Sequence, residues 1–95
     1  MPELIRQRNK IIYNGLVKKA YRRIIQTNEI DDLIQKKFHL KELTLDFAES
    51  SWDSFFEIYP VKSVQQLYLS EVVRALESYF WDNLSHNQVF KHLIY

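Results

Sequence analysis

The clearest helical periodicity in the chain lies at 63–84, SVQQLYLSEVVRALESYFWDNL. Ser63 and Gln66 have the spacing of a capping box: the hydroxyl accepts the N3 amide and the glutamine reaches back to the cap amide. On a wheel of about 100° per residue, Val64, Leu67, Tyr68, Leu69, Val72, Val73, Ala75, Leu76, Tyr79, Phe80 and Leu84 fill an arc of roughly 200°. An ordinary surface helix needs an apolar stripe about half as wide. The width predicts a central helix, covered on two sides. The remaining arc holds Ser70, Arg74, Glu77 and Ser78, with Trp81 among them.

Before this helix the pattern predicts three more. From about Arg8 to Gln26, Ile12, Tyr13, Leu16, Val17, Ala20, Tyr21 and Ile24 fall on one face, and Lys18, Lys19, Arg22 and Arg23 fall opposite. Arg6 and Lys10 project onto the apolar side of that wheel. Residues 1–8 are therefore read as a basic arm, frayed or bent away from the helix. Gly15 lies on the polar face and costs about 1 kcal/mol against alanine without ending the helix. Asn28 is the candidate cap of a short second helix, with Asp31 and Asp32 in its first turn and Ile30, Leu33, Ile34 and Phe38 as its buried stripe. At 39–61 the pattern is ambiguous. Leu43, Leu45 and Phe47 alternate as a strand would, whereas Ala48, Trp52, Phe55, Phe56 and Tyr59 recur at helical spacing. A lone strand has no partner elsewhere, so a helix from about Leu45 or Ser50 to Tyr59 is favoured, ended by Pro60. After the central helix, Ser85 with Gln88 repeats the capping-box spacing, and Val89, Phe90, Leu93 and Ile94 mark a last helix from His86 to Tyr95.

The prediction is an all-α fold, a compact bundle of four to five helices around the central helix at about 63–84, with residues 1–95 as a single helical domain. Composition agrees. With one glycine and two prolines the chain has few residues for the φ > 0 positions that hairpins need. At 46% hydrophobic and 15% aromatic it can bury a core without staples. The absence of cysteine excludes a disulfide scaffold, a thiolate zinc site and a cysteine nucleophile, and fits a reducing, cytoplasmic setting. No signal pattern and no membrane-length apolar run is present.

Net charge is +1, but its distribution is uneven. Residues 1–28 carry seven Lys/Arg against Glu3 alone, and the remaining 67 residues carry six basic against eleven acidic side chains. The sequence is a basic N-terminal element on a mildly acidic body. The face Lys18, Lys19, Arg22 and Arg23 can track a phosphate backbone, with Arg6, Arg8 and Lys10 as the arm. Equally, it is a solvated face, or one that pairs with acidic side chains of the same or another subunit.

Chemistry is thin elsewhere. His39, His86 and His92 share no ligand spacing, and no Asp/Glu/His set resembles a zinc or di-iron motif. Glu49 with Asp53 is an i, i+4 acidic pair, read as a solvated edge. One glycine cannot build a phosphate loop. The expectation is therefore no enzyme, no cofactor, no metal and no small-molecule substrate. VVRALESYFWDNL at 72–84 resembles a helix of HEPN-type helical domains, some of which are RNases. The motif that carries their activity is an arginine followed after four to six residues by a histidine. Arg74 is followed at those places by Tyr79, Phe80 and Trp81, so the resemblance implies a helix and assigns neither a family nor a site.

What remains is surface. Trp81, with Arg74 and Glu77 beside it, combines residue types that concentrate at interface hot spots. Aromatics crowd the last 44 residues, more than a small domain readily hides. The sequence thus points to a small non-enzymatic interaction protein, a regulator, inhibitor or adaptor, meeting a protein partner or its own copies. The alternative is a nucleic-acid-binding protein using the basic face.

Overall fold

The computed structural model of the chain describes residues 3–59 and 66–85. Within them it holds four helices and no strand: α1 (Glu3–Thr27), α2 (Asp32–Lys37), α3 (Leu40–Ile58) and α4 (Gln66–Leu84). The fold is all-α, as the periodicity predicts. α1 lies against both α3 and α4, and its contact with α4 is the most extensive in the molecule. With 25 residues α1 spans about 37 Å, most of the 44 Å long dimension.

α1 starts five residues earlier than the sequence predicts. Residues 3–8, read as a basic arm, form its first turns. The two cations on the apolar side of its wheel have partners there. The Arg6 guanidinium lies 5.1 Å from the centre of the Trp52 ring and 3.6 Å from the Asp53 carboxylate. Lys10 Nζ lies 3.0 Å from Glu49. Glu49 and Asp53 remain exposed, as a solvated edge is, and are also the acidic half of an α1–α3 seam. Exposed ion pairs of this kind contribute about 0.2–1 kcal/mol each, and a cation over an indole a similar amount. These pairs also mark α1 and α3 as antiparallel, with the start of α1 beside the end of α3.

The joint after α1 differs from the prediction too. Asn28 does not cap α2; it closes α1, its side-chain amide donating to the Ile24 carbonyl at 2.9 Å. Glu29 follows with φ 53. The Glu29 N–H donates to Gln26 O and the Ile30 N–H to Ile25 O, the paired bonds of a Schellman ending. The cap of α2 is Asp31, whose Oδ1 accepts the Ile34 N–H at 2.9 Å. α2 is only six residues long. Of its predicted buried stripe, Ile30 and Phe38 flank the helix and are buried, Ile34 is half-buried, and Leu33 is 77% exposed.

His39, with φ 52, is a second left-handed joint and leads directly into α3. The ambiguity at 43–47 resolves as helix. Leu43 and Phe47, four apart, face the core, and Leu45 between them is 64% exposed. Thr44 is buried mid-helix and satisfies its hydroxyl on the Leu40 carbonyl at 2.7 Å, the back-bond that makes a buried helical threonine tolerable. α3 ends at Ile58, with Tyr59 extended before Pro60 as the pre-proline restriction requires.

The core is one cluster: Tyr13, Leu16, Val17, Ala20 and Ile24 of α1, Ile30 and Phe38 at the joints, Leu40, Phe47 and Ala48 of α3, and Val72, Leu76 and Phe80 of α4. The Tyr13 hydroxyl is 2.7 Å from Ser51 Oγ. Ser51 gives its only proton to the Phe47 carbonyl, so Tyr13 is the donor. Burial pushes the Tyr13 phenol up from its ordinary 10.0. Around it, rings pack edge-on and tilted: Tyr13–Phe55 at 5.1 Å, Tyr13–Phe56 at 5.7 Å, Phe55–Tyr59 at 4.8 Å and Tyr59–Tyr68 at 5.2 Å. The predicted cap Ser63 and the predicted helix His86–Tyr95 lie outside the described residues.

The chain's one glycine sits mid-helix at Gly15, exposed, with negative φ and open space where a Cβ would go. The two left-handed positions among the described residues carry Glu29 and His39 instead. Gly15→Ala is expected to stabilise by about 0.5–1 kcal/mol. Glu29→Gly is expected to stabilise by up to about 1 kcal/mol, by relieving the left-handed strain. Urea unfolding of the two single variants checks both, and additivity is expected in the double variant because the sites are far apart.

Candidate functional site

Three surfaces follow from the sequence, and the structure places each. Arg74, Glu77 and Trp81 share one flank of α4, as their spacing of three and four requires. Arg74 is exposed and reaches Glu71 at 3.8 Å. Glu77 and Trp81 are half-buried, so the flank is not the open hot spot that the wheel suggests. Burial pushes the Glu77 carboxyl above its ordinary value, and no described cation pairs with it.

Lys18, Lys19, Arg22 and Arg23 are all exposed on α1. Lys18, Lys19 and Arg22 form no ion pair with a described residue. The basic face is real, but the arm assigned to it is not separate: Arg6 and Lys10 are engaged on α3.

The aromatic surplus is largely absorbed inward. Phe80 is fully buried, Trp52, Phe55, Phe56, Tyr68 and Tyr79 are half-buried in contact with the core, and Tyr59 is half-buried against Phe55 and Tyr68. What stays in solvent is aliphatic: Leu4 is 80% and Ile11 71% exposed. On the wheel Leu4, Ile11, Lys18 and Arg22 share the side of α1 turned away from its buried stripe, with Lys18 at the border with α3. Glu42, Leu45, Glu49 and Asp53 share the outward side of α3 that borders α1. Between the two rows runs an open groove of about 420 Å³, with Val17, Thr44 and Ala48 at its floor and Lys18, Leu45 and Glu49 at its edges.

Sequence reasoning missed this face, although the signal was present. Leu4 and Ile11 are seven apart, and so are Leu45 and Trp52. Counting the apolar residues left over once each core stripe was filled would have found it.

At the far end of α1, the Tyr21 hydroxyl donates to Gln35 Oε1 at 2.7 Å. Its phenol is pushed up by burial first, then by the carboxylates of Glu42 and Asp32. Lys18 lines one groove with Thr44 and Leu45, so Lys18 and, one turn on, Arg22 stand beside the first turns of α3.

His39 is the one histidine among the described residues. It lines an open cleft with Asp32, Gln35, Lys36, Lys41 and Glu42, where cations and carboxylates alternate. Among the described residues no group of three or more His, Asp or Glu could hold a metal ion, and no helix is long and apolar enough to cross a membrane. Comparison with known proteins finds no matching family model, no matching curated protein and no matching solved structure.

Glu77 offers a direct check on the α4 flank. A raised folded-state value means that the protonated form is favoured by folding, so this contribution is complete below the unfolded carboxylate range. It is lost as pH rises through the folded value. Glu77→Gln keeps the neutral form at every pH. Its melting temperature is expected to exceed wild type at pH 7, and the two curves are expected to converge near pH 4. Parallel curves across that range would place Glu77 in open solvent.

Proposed function

We propose that this chain is a small non-enzymatic interaction protein that docks its helical surface on another protein chain. The observation that carries the reading is the face between α1 and α3. Leu45 stands in solvent at the edge of the groove there, and Leu4 and Ile11 stand in solvent on the outer side of α1. Exposed aliphatics rimmed by charge mark association surfaces. A regulator, inhibitor or adaptor works through such a face, and a reducing cytoplasmic setting suits a chain without cysteine. Arg74, Glu77 and Trp81 form a second, smaller contact flank on α4 in this reading.

Nucleic-acid binding through Lys18, Lys19, Arg22 and Arg23 is the second reading. The exposure of all four side chains favours it. If Lys18, Lys19 and Arg22 each held a phosphate, log K would fall with log salt at a slope of roughly −3.

The experiment is chemical cross-linking in cells that produce the chain. Wild type is expected to give a discrete adduct, and Ile11→Asp with Leu45→Asp is expected to give none. Both positions are exposed, so thermal unfolding of the purified double variant is expected to match wild type to within about 0.5 kcal/mol per site. An adduct that survives the double substitution would remove this face from the function.

A further inference from the structure

We propose that the partner of the α1–α3 face is a second copy of this chain, related by a two-fold axis that runs parallel to the helices between α1 and α3. The proposal rests on the reading that this face docks a protein, and adds what it docks. The argument is self-complementarity. A two-fold interface brings one surface against itself, so residue i meets j and j meets i. A face with one sign of charge would repel its copy. This face has both signs, sorted onto different helices: Lys18 and Arg22 on α1, and Glu42, Glu49 and Asp53 on α3.

An axis parallel to the helices lays α1 of each copy over α3 of the other and keeps every residue at its own level. The levels are fixed by the pairs inside one chain. Arg6 meets Asp53, Lys10 meets Glu49, and Lys18 shares a groove lining with Thr44 and Leu45. Lys18 and Arg22 of one copy therefore come opposite Glu42 and the exposed Asp46, one turn on, of the other. Ile11 comes opposite the stretch of α3 around Trp52, and Leu45 comes opposite the groove edge at Lys18. The contact repeats twice by symmetry. It covers Ile11 and Leu45 and gives Lys18 and Arg22 the ion pairs that they lack within their own described chain. The formal charge of +1 per chain sets little net repulsion against pairing.

The same carboxylates argue against a polyanion on this face. A phosphate backbone tracking Lys18 and Arg22 would run beside Glu42 and Glu49, whose like charge opposes it.

The test is a charge swap on the full-length chain, read by sedimentation equilibrium at low salt. One variant carries Lys18→Glu with Arg22→Glu, which makes both rows acidic. The other carries Glu42→Lys with Asp46→Lys, which makes the end of the α3 row opposite Lys18 and Arg22 basic. Wild type is expected at twice the 11.6 kDa chain mass, weakening as salt rises. Each variant alone is expected to self-associate at least about tenfold more weakly. An equimolar mixture is expected to recover a heterodimer, because acidic rows then meet basic rows at both contacts. Recovery also shows that both variants are folded.

A monomeric wild type overturns the proposal. In that case a cellular adduct containing a different protein leaves the docking reading standing, and no adduct removes both. A dimer indifferent to both reversals, or variants whose mixture stays monomeric, overturns it as well. So does a wild type that binds a duplex oligonucleotide and does not self-associate.

Discussion

The buried stripe of α1 is the constraint on which the rest depends. Tyr13, Leu16, Val17, Ala20 and Ile24 recur every three or four residues and are excluded from solvent. Each of the larger side chains contributes roughly 1.5–3 kcal/mol by leaving water. One stripe cannot be shielded by one neighbour. α1 therefore lies in the notch between α3 and α4, and Phe47 of α3 meets Tyr79 of α4 at 5.6 Å to close the third side. α4 is broad enough to serve two neighbours, which is what its wide apolar arc encodes, but among its described side chains only Val72, Leu76 and Phe80 are fully enclosed. The flanks of the arc are half-covered, and Ala75 is exposed.

This geometry decides which surfaces remain. A stripe buried against two helices leaves each helix with an outward side, and every outward side is set by what the inward side consumes. On α1 the inward side takes Arg6 and Lys10 along with the apolar stripe, because Trp52, Glu49 and Asp53 on α3 receive them. Helical order in the first turns of α1 therefore depends on a cluster more than forty residues away in sequence. The basic character of the N-terminal element divides accordingly: two cations tie α1 to α3, and Lys18, Lys19 and Arg22 are left to the surface.

The helices were legible because their periodicity depends on residue type alone. Tyr13, Leu16, Val17, Ala20 and Ile24 were readable as a face without knowing what covers them. The strand-like alternation at Leu43, Leu45 and Phe47 was misleading because i and i+4 on a helix also skip over a polar position; Leu45, exposed between two inward neighbours, supplied the false beat. The joints were not legible. Left-handed positions are normally announced by glycine, and here Glu29 and His39 fill them while Gly15 sits in a helix that does not need it. Without that cue Asn28 read as the start of α2 when it closes α1. The Trp81 flank was legible as a row but not in its burial, since a wheel shows direction and not what stands opposite.

The candidate face was invisible for a further reason. Its two rows lie on different helices, and neither is unusual by itself: Lys18 with Arg22 is an ordinary solvated pair, and Glu42 with Glu49 an ordinary acidic one. Only the antiparallel pairing of α1 with α3 sets a cationic row beside an anionic one, with Leu45 at the groove between them. Sorting of charge by helix is a property of topology. Had α1 and α3 run parallel, Lys18 and Arg22 would have stood level with the Glu57 end of α3, and the copies would match at different residues. The function argued for this chain therefore rests on the direction in which two helices lie, a direction set by how the buried stripe of α1 packs and marked at the surface by Arg6 on Asp53 and Lys10 on Glu49.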